Sequence, residues 1–353
     1  MRPTVAILSH RAEPASLARS TVTYQAAQFM HMQGHADVLW TEKALPVLRG
    51  EAAGPAIDAV VVFDETALLT DEQIRSVLPL HDALLVFVTH DFWCHPLQVA
   101  RALRAQPRML MVVRHECSQR LFRRLLPDVP IVLQRPGVET AIFGPSPEPK
   151  RYDIILGGSE TPDYPVRITL NRVVREHAGR YGWRVLDMTG RGLMSNPPGT
   201  QLEYAPALAS AKVAPTGTNR GGAEPARLVT QYFDPSPARA AFDHPFYGLS
   251  TPELDVEAFE TAGITPRYLE TLASETLLVA DLPACDDQEW YRDKMVVIDP
   301  SASDGELAAL IDRWVRDDDA RERLCREARR AVLETETSEL RARELVEMIG
   351  AHL

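Results

Sequence analysis

The chain has 353 residues, 45% of them hydrophobic and 25% charged, which suits a soluble globular protein with room for two domains. A formal net charge of −11 argues against a nucleic-acid partner, although local basic groups can still meet a nucleotide. The four cysteines form no CxxC pair, which argues against a zinc site or a disulfide framework and fits a reducing, cytoplasmic setting. The apolar run in MRPTVAILSH is too short for a signal-peptide core. No stretch approaches the roughly 20 apolar residues of a membrane span, so any membrane contact is expected to be peripheral.

Short β-type runs alternate with helix-type segments from the start. Thr4–Leu8 predicts a strand, and a helix is expected from about Ala15 to Gln33, closed by Gly34. Further strands are predicted at Ala36–Trp40, Ala59–Phe63, Ala83–Val88, Met109–Val113 and Ile131–Leu133. Apolar strands separated by helices point to a parallel sheet covered on both faces. The segment Arg135–Arg151, RPGVETAIFGPSPEPKR, is rich in proline and reads as an interdomain linker.

The alternation then restarts. Strands are predicted at Asp153–Leu156, Trp183–Asp187, Lys212–Ala214, Leu277–Ala280 and Met295–Ile298, with helices at Val166–Gly179, Tyr204–Ser210 and Arg267–Ala273. Thr216–Gly263 lacks periodicity and reads as a loop or insertion near a site. Ser303 and Glu306 have capping-box spacing, and two more helices are expected near Arg321–Glu334 and Leu340–Ile349. The fold expected is α/β, with two doubly wound Rossmann-like domains facing across a cleft. The first would span residues 1–145, and the second 146–353, including the helical tail.

In open α/β sheets ligands meet the carboxyl ends of strands. Gly157 and Gly158 follow a predicted strand and would let a phosphate approach the backbone, though a plain turn reads the same way. Arg167 lies near a helix N-terminus, where an anion would be its natural partner and a solvated surface its alternative. Lys212 begins a short strand, and Arg220 sits in the loop TGTNRGG. Glu270, in TPRYLETLAS, could accept hydrogen bonds from two neighbouring sugar hydroxyls. On the N-terminal side, His90 and Asp91 follow the strand ALLVFV, and His10 follows the first strand in a similar way. Such histidines have the pKa for proton transfer, with Asp91 orienting His90 or capping the next turn. His115, in VVRHE, is a third histidine of the same kind.

Several segments resemble a known group, in order and spacing. RYLETLASETLLVADLP, the tail DGELAALIDRWVRDDDARERLCREAR, the opening YDIILGGSETPDYPVR and the linker RPGVETAIFGP are similar to GT-B glycosyltransferases, and most similar to the spore-maturation-type group within glycosyl transferases group 1. The resemblance implies a nucleotide sugar, UDP-linked by preference, as co-substrate of the C-terminal domain, with no other cofactor. Glu270 would match the glutamate that binds the ribose hydroxyls. Gly157, Gly158, Arg167, Lys212 and Arg267 would surround the diphosphate, and His90 would lie near the acceptor and the reacting carbon. The chain departs from the group at three places. Glu275 stands where glycine is usual, Ala262 stands where retaining relatives carry a second glutamate, and SHRAEPAS replaces a glycine-rich loop.

The reaction implied is transfer of a sugar from a nucleoside diphosphate to a small-molecule or cell-surface acceptor. No DxD lies between suitable strands, which is consistent with a metal-independent reaction. Two other readings share the fold: an epimerase acting on the same donor, and a relative that binds without catalysis. Composition does not specify the oligomeric state.

Overall fold

The structure is a computed structural model. It describes residues 2–9, 23–63, 68, 71–78, 82–89, 96–104, 106–158, 160, 164–189, 200–218, 263–283 and 287–353. Elements are numbered among these residues. In the first half, β1 (Thr4–Leu8), α1 (Thr23–His31), β2 (Asp37–Trp40), α2 (Thr41–Leu48), β3 (Ala59–Phe63) and α3 (Glu72–Val77) come first. They are followed by β4 (Leu84–Val88), α4 (Pro96–Leu103), β5 (Met109–Val113), α5 (Glu116–Leu125) and β6 (Ile131–Leu133).

The six strands form one parallel sheet in the order β2-β1-β3-β4-β5-β6. Strand residues alternate between its two faces. Ala6, Leu8, Val60 and Val62 enter one buried cluster, while Val5, Ile7, Val61 and Phe63 enter the other. Both faces are dry, which is why these strands read as unbroken apolar runs.

The second half contains β7 (Tyr152–Leu156), α6 (Pro165–Tyr181), β8 (Val185–Asp187), α7 (Thr200–Ala209), β9 (Ala211–Pro215) and α8 (Pro266–Ala273). After them come β10 (Leu277–Ala280), α9 (Gln288–Arg292) and β11 (Val296–Val297). These strands form a second parallel sheet in the order β11-β10-β9-β7-β8, with a buried cluster on each face. In both sheets the first strand is flanked by the second on one side and the third on the other. Each half is therefore doubly wound. Helix α6 starts with Pro165 at a position whose N–H has no intrahelical partner, and ends on Gly182, whose φ of 69° suits glycine.

The tail is α10 (Asp304–Arg316), α11 (Asp318–Thr335) and α12 (Ser338–His352). Ser303 and Glu306 form the expected capping box at the start of α10. Leu307, Ala308, Ile311 and Val315 of α10 pack on the second sheet, and so do Ala328 and Val332 of α11 on its other face.

The last helix corrects the expected assignment of the whole tail to the second domain. Ala342, Leu345, Val346 and Ile349 of α12 pack with Phe29, Met32 and Val86 on the first sheet. The chain returns beside the linker. Val138 N–H donates to the Glu336 carbonyl and Ser338 N–H to the Val138 carbonyl, both at 2.9 Å. Gly137 is required here, because a Cβ would lie 2.8 Å from the Thr337 carbonyl oxygen and the Ser338 nitrogen. The buried Arg341 side chain pairs with Glu336 and with Glu344, while its carbonyl accepts from the amides of Gln28 and Gln134. The linker, α1 and α12 are thereby tied in one buried polar network.

The helix expected from Ala15 is present from Thr23, with a 3₁₀ turn over Met32–Gly34; residues 10–22 lie outside the described residues. So does most of the Thr216–Gly263 stretch. Among the described residues, no helix is long and apolar enough to cross a membrane.

Candidate functional site

In the second sheet the chain leaves β7 towards β8 and returns to β9 on the other side. The carboxyl ends of β7 and β9 therefore bound the crevice at which such a sheet takes its ligands. Gly157 and Gly158 lie at the end of β7, and Thr216, Gly217 and Thr218 at the end of β9.

Arg167, in the first turn of α6, points into this crevice. It is 3% exposed, its Nε donates to Thr216 Oγ1 at 3.2 Å, and its guanidinium lies 4.0 Å from the centre of the Tyr164 ring. Gly158 has φ +86°, and a Cβ there would come 2.8 Å from an Arg167 nitrogen. Gly217 is equally confined, since its Cβ would lie 2.8 Å from the Arg167 backbone nitrogen. Gly157 faces Tyr204, whose ring carbon would be 2.8 Å from an added Cβ. These glycines admit the side chains that build the site.

Helix α8 supplies the rest. Arg267 Nη1 donates to Glu270 Oε2 at 2.7 Å, one turn apart. The Arg267 guanidinium also lies 3.9 Å from the centre of the Tyr204 ring. Glu270 is 4% exposed. Burial pushes its pKa above the ordinary carboxyl value, and the positive charges of Arg267 and then Arg167 act in the opposite direction. Burial opposes charge on Arg267, but Glu270 and Tyr204 outweigh it and its pKa rises. For Arg167 burial dominates and the pKa falls.

A third group fixes the frame. The Asp281 carboxylate, just after β10, accepts from Thr218 N at 2.9 Å and from Thr218 Oγ1 at 2.7 Å. Tyr268 Oη donates to the Asp281 carbonyl at 2.8 Å. The ends of β9 and β10 and the start of α8 are locked together by these bonds. Burial, followed by the Asp281 charge, holds the Tyr268 hydroxyl well above its usual pKa, so it stays a donor.

The structure brings together five of the six donor-side residues singled out in the sequence: Gly157, Gly158, Arg167, Arg267 and Glu270. Lys212 is not among them, which corrects that expectation. It is the second residue of β9 and so sits towards the opposite end of the strand from Thr216. Its Nζ donates to the Val315 carbonyl at 3.3 Å and lies 3.4 Å from both Asp153 and Asp318. His10, His90, Asp91 and Arg220 lie outside the described residues. His115 is buried just before α5, where it takes the N-cap position. Tyr164, Tyr204, Thr216 and Asp281 were not singled out in the sequence. An aromatic residue inside an apolar helix looks the same whether it lines a core or a cation.

Two doubly wound domains, each taking ligands at the carboxyl ends of its strands, are the architecture of the GT-B fold. Residues 201–347 match the family described as "Glycosyl transferase-like", a span that holds Tyr204, Thr216, Arg267, Glu270 and Asp281. No curated protein sequence matches the chain significantly. Solved structures share its fold from end to end. Sucrose-phosphate synthase from Thermosynechococcus elongatus is 12% identical, with 99% of each chain covered and a TM-score of 0.56. Anabaena HepE in complex with UDP-glucose is 12% identical, with 99% of this chain and 100% of that one covered and a TM-score of 0.56. A glycosyltransferase from Rickettsia africae is 11% identical, with 99% and 98% covered and a TM-score of 0.58.

Proposed function

We propose that the protein transfers a sugar from a nucleoside diphosphate sugar to an acceptor hydroxyl, and that its second domain holds the donor. The observation that carries this reading is the cluster of buried Arg167 and Glu270 with partly buried Arg267 at the crevice of the second sheet. Glu270, whose charged form Arg267 favours against burial, is suited to accept two hydrogen bonds from a ribose diol. Arg167, with the N-terminus of α6 behind it, is suited to the diphosphate. As the sugar–oxygen bond breaks, negative charge grows on the departing diphosphate, and fixed guanidinium groups stabilise it without reorganising. This supply of charge from side chains supports a reaction independent of metal. The HepE complex with UDP-glucose supports uridine as the base.

The first domain would take the acceptor, a small molecule or a cell-surface group. His90, which follows β4 in the sequence, is the proposed base for the acceptor hydroxyl, with Asp91 beside it and His10 as the second candidate.

Calorimetry with UDP, GDP, dTDP and ADP, in EDTA and again with magnesium, tests the donor half. UDP is expected to bind equally in both buffers, and Glu270→Ala to weaken it by about 1.5–3 kcal/mol, the worth of charge-assisted hydrogen bonds. Failure of all four nucleotides to bind would overturn the proposal. The acceptor half has its own test. His90→Ala is expected to lower kcat by roughly 10²–10⁴-fold while leaving UDP affinity unchanged. Unaltered turnover would remove His90 from the chemistry. Consumption of UDP-glucose that yields an isomer without any acceptor would favour an epimerase instead.

A further inference from the structure

A second cavity lies away from the donor crevice, by the amino ends of β7 and β9. Its volume is about 350 Å³, and it opens to solvent. Its charged lining is mixed, with Lys150, Lys212, Arg321 and Arg326 set among Glu148, Glu275, Asp318 and Glu322, and Cys325 lies beside them. Lysine is scarce in this chain, at four of its 38 basic residues, and two of those four share this one cavity.

Lys150 is held in a defined pose. Its Nζ donates to the Ala209 carbonyl at 2.8 Å and to Thr276 Oγ1 at 3.3 Å. Thr276 passes its own proton to the Leu208 carbonyl at 2.7 Å, so its oxygen is available as an acceptor. These bonds engage two of the three tetrahedral N–H positions. Losing the third proton leaves a free amine that keeps both bonds and carries a lone pair. Burial draws the pKa of Lys150 down to about 8. About a tenth of it is then free amine at pH 7, against roughly three in ten thousand for an ordinary lysine. The thiol beside it behaves in the opposite way. Burial pushes Cys325 up to about 12, so it stays protonated and a poor nucleophile. Arg326 stands on the exposed rim and is tied only loosely, to Glu322 at 3.4 Å.

We propose that this cavity is a covalent modification site, in which Lys150 takes the acyl group of an anionic acyl donor of the acyl-phosphate class. The Lys150 nitrogen lone pair forms the bond to the acyl carbon. The bond from that carbon to the phosphate oxygen breaks, and its electron pair leaves with the phosphate. The nitrogen gives up one proton, so that amine and acyl phosphate become amide and hydrogen phosphate. Arg326, at the mouth, steers the phosphate. The amide keeps one N–H for the Ala209 carbonyl, but the positive charge opposite Glu275 is lost.

Acetyl phosphate, applied to the full chain at pH 7 and pH 9, tests this by mass spectrometry of Lys43, Lys150, Lys212 and Lys294. Lys150 is expected to be acetylated at least tenfold faster than Lys43 at pH 7. The advantage should shrink at pH 9 and disappear in urea. Equal or slower labelling of Lys150 at pH 7, or an advantage that persists in urea, would overturn the site. Arg326→Gln separates steering from amine reactivity. It is expected to slow Lys150 labelling several-fold with acetyl phosphate and to leave labelling by uncharged acetic anhydride unchanged. If both reagents slow together, or neither does, the anionic-donor class is wrong.

Discussion

At the scale of single residues, ionisable side chains in this protein are held by what surrounds them more than by their own chemistry. Glu270 and Arg267 illustrate the crevice of the second sheet, where each would be costly to bury alone and each favours the other's charged form. Lys150 illustrates the opposite case, because its main neighbours are a carbonyl and a hydroxyl rather than a close carboxylate. Its pKa is lowered on folding, from 10.5 to about 8. The unfolded chain therefore takes up a proton first as pH falls, and stability drops as pH descends from about 10.5 towards 8. At roughly 1.4 kcal/mol per unit, the deficit below pH 8 approaches about 3 kcal/mol. Lys150→Met should remove it. After the loss of two hydrogen bonds, a net gain of about 1–2 kcal/mol is expected at pH 7, turning into a net loss of about 1–2 kcal/mol above pH 10.5. Urea midpoints measured across that range would check both sign and window.

At the scale of elements, the sequence located most strands and helices but not which end of a strand does what. Period and flanking residues announced a short strand around Lys212, yet nothing in an apolar run says that Lys212 lies near its start and Thr216 just past its end. Glycines carried more. Gly157, Gly158 and Gly217 stand where a Cβ would meet Tyr204 or Arg167, so their positions encode the site itself. One departure from the related family's pattern has a local cost. Glu275, after α8, adopts φ 50°, a left-handed conformation in which side chains crowd the backbone. Its ion pair with Arg329 is long, at 3.8 Å, and half-exposed, so it offsets little. Glu275→Gly is therefore expected to stabilise the protein by about 0.5–1 kcal/mol, seen as a higher urea midpoint. A fall in the midpoint would show that the ion pair outweighs the backbone strain.

At the scale of the whole molecule, the two halves are joined by more than a linker. The apolar spacing of Ala342, Leu345, Val346 and Ile349 was legible as a helix face. The identity of the sheet it covers was not, because periodicity names a face and not its partner. The buried polar ties among Gln28, Gln134, Glu336 and Arg341 come from three distant stretches, which only the folded chain brings together. Leu345→Ala should leave a cavity against the first sheet and cost about 2–5 kcal/mol. The loss is expected to appear as early unfolding of the first domain in hydrogen exchange, with protection of the second sheet retained. Uniform loss across both sheets would mean that the halves unfold as one cooperative unit.

Because α12 covers a face of the first sheet, the order of manufacture runs against the order of completion. A ribosome releases β1 to β6 long before it releases Ala342 to Ile349. Until then the apolar flank around Phe29, Met32 and Val86 stays uncovered. The part of this protein that is made first is thus the last to be sealed, and its apolar flank stays open while the whole second half is being made.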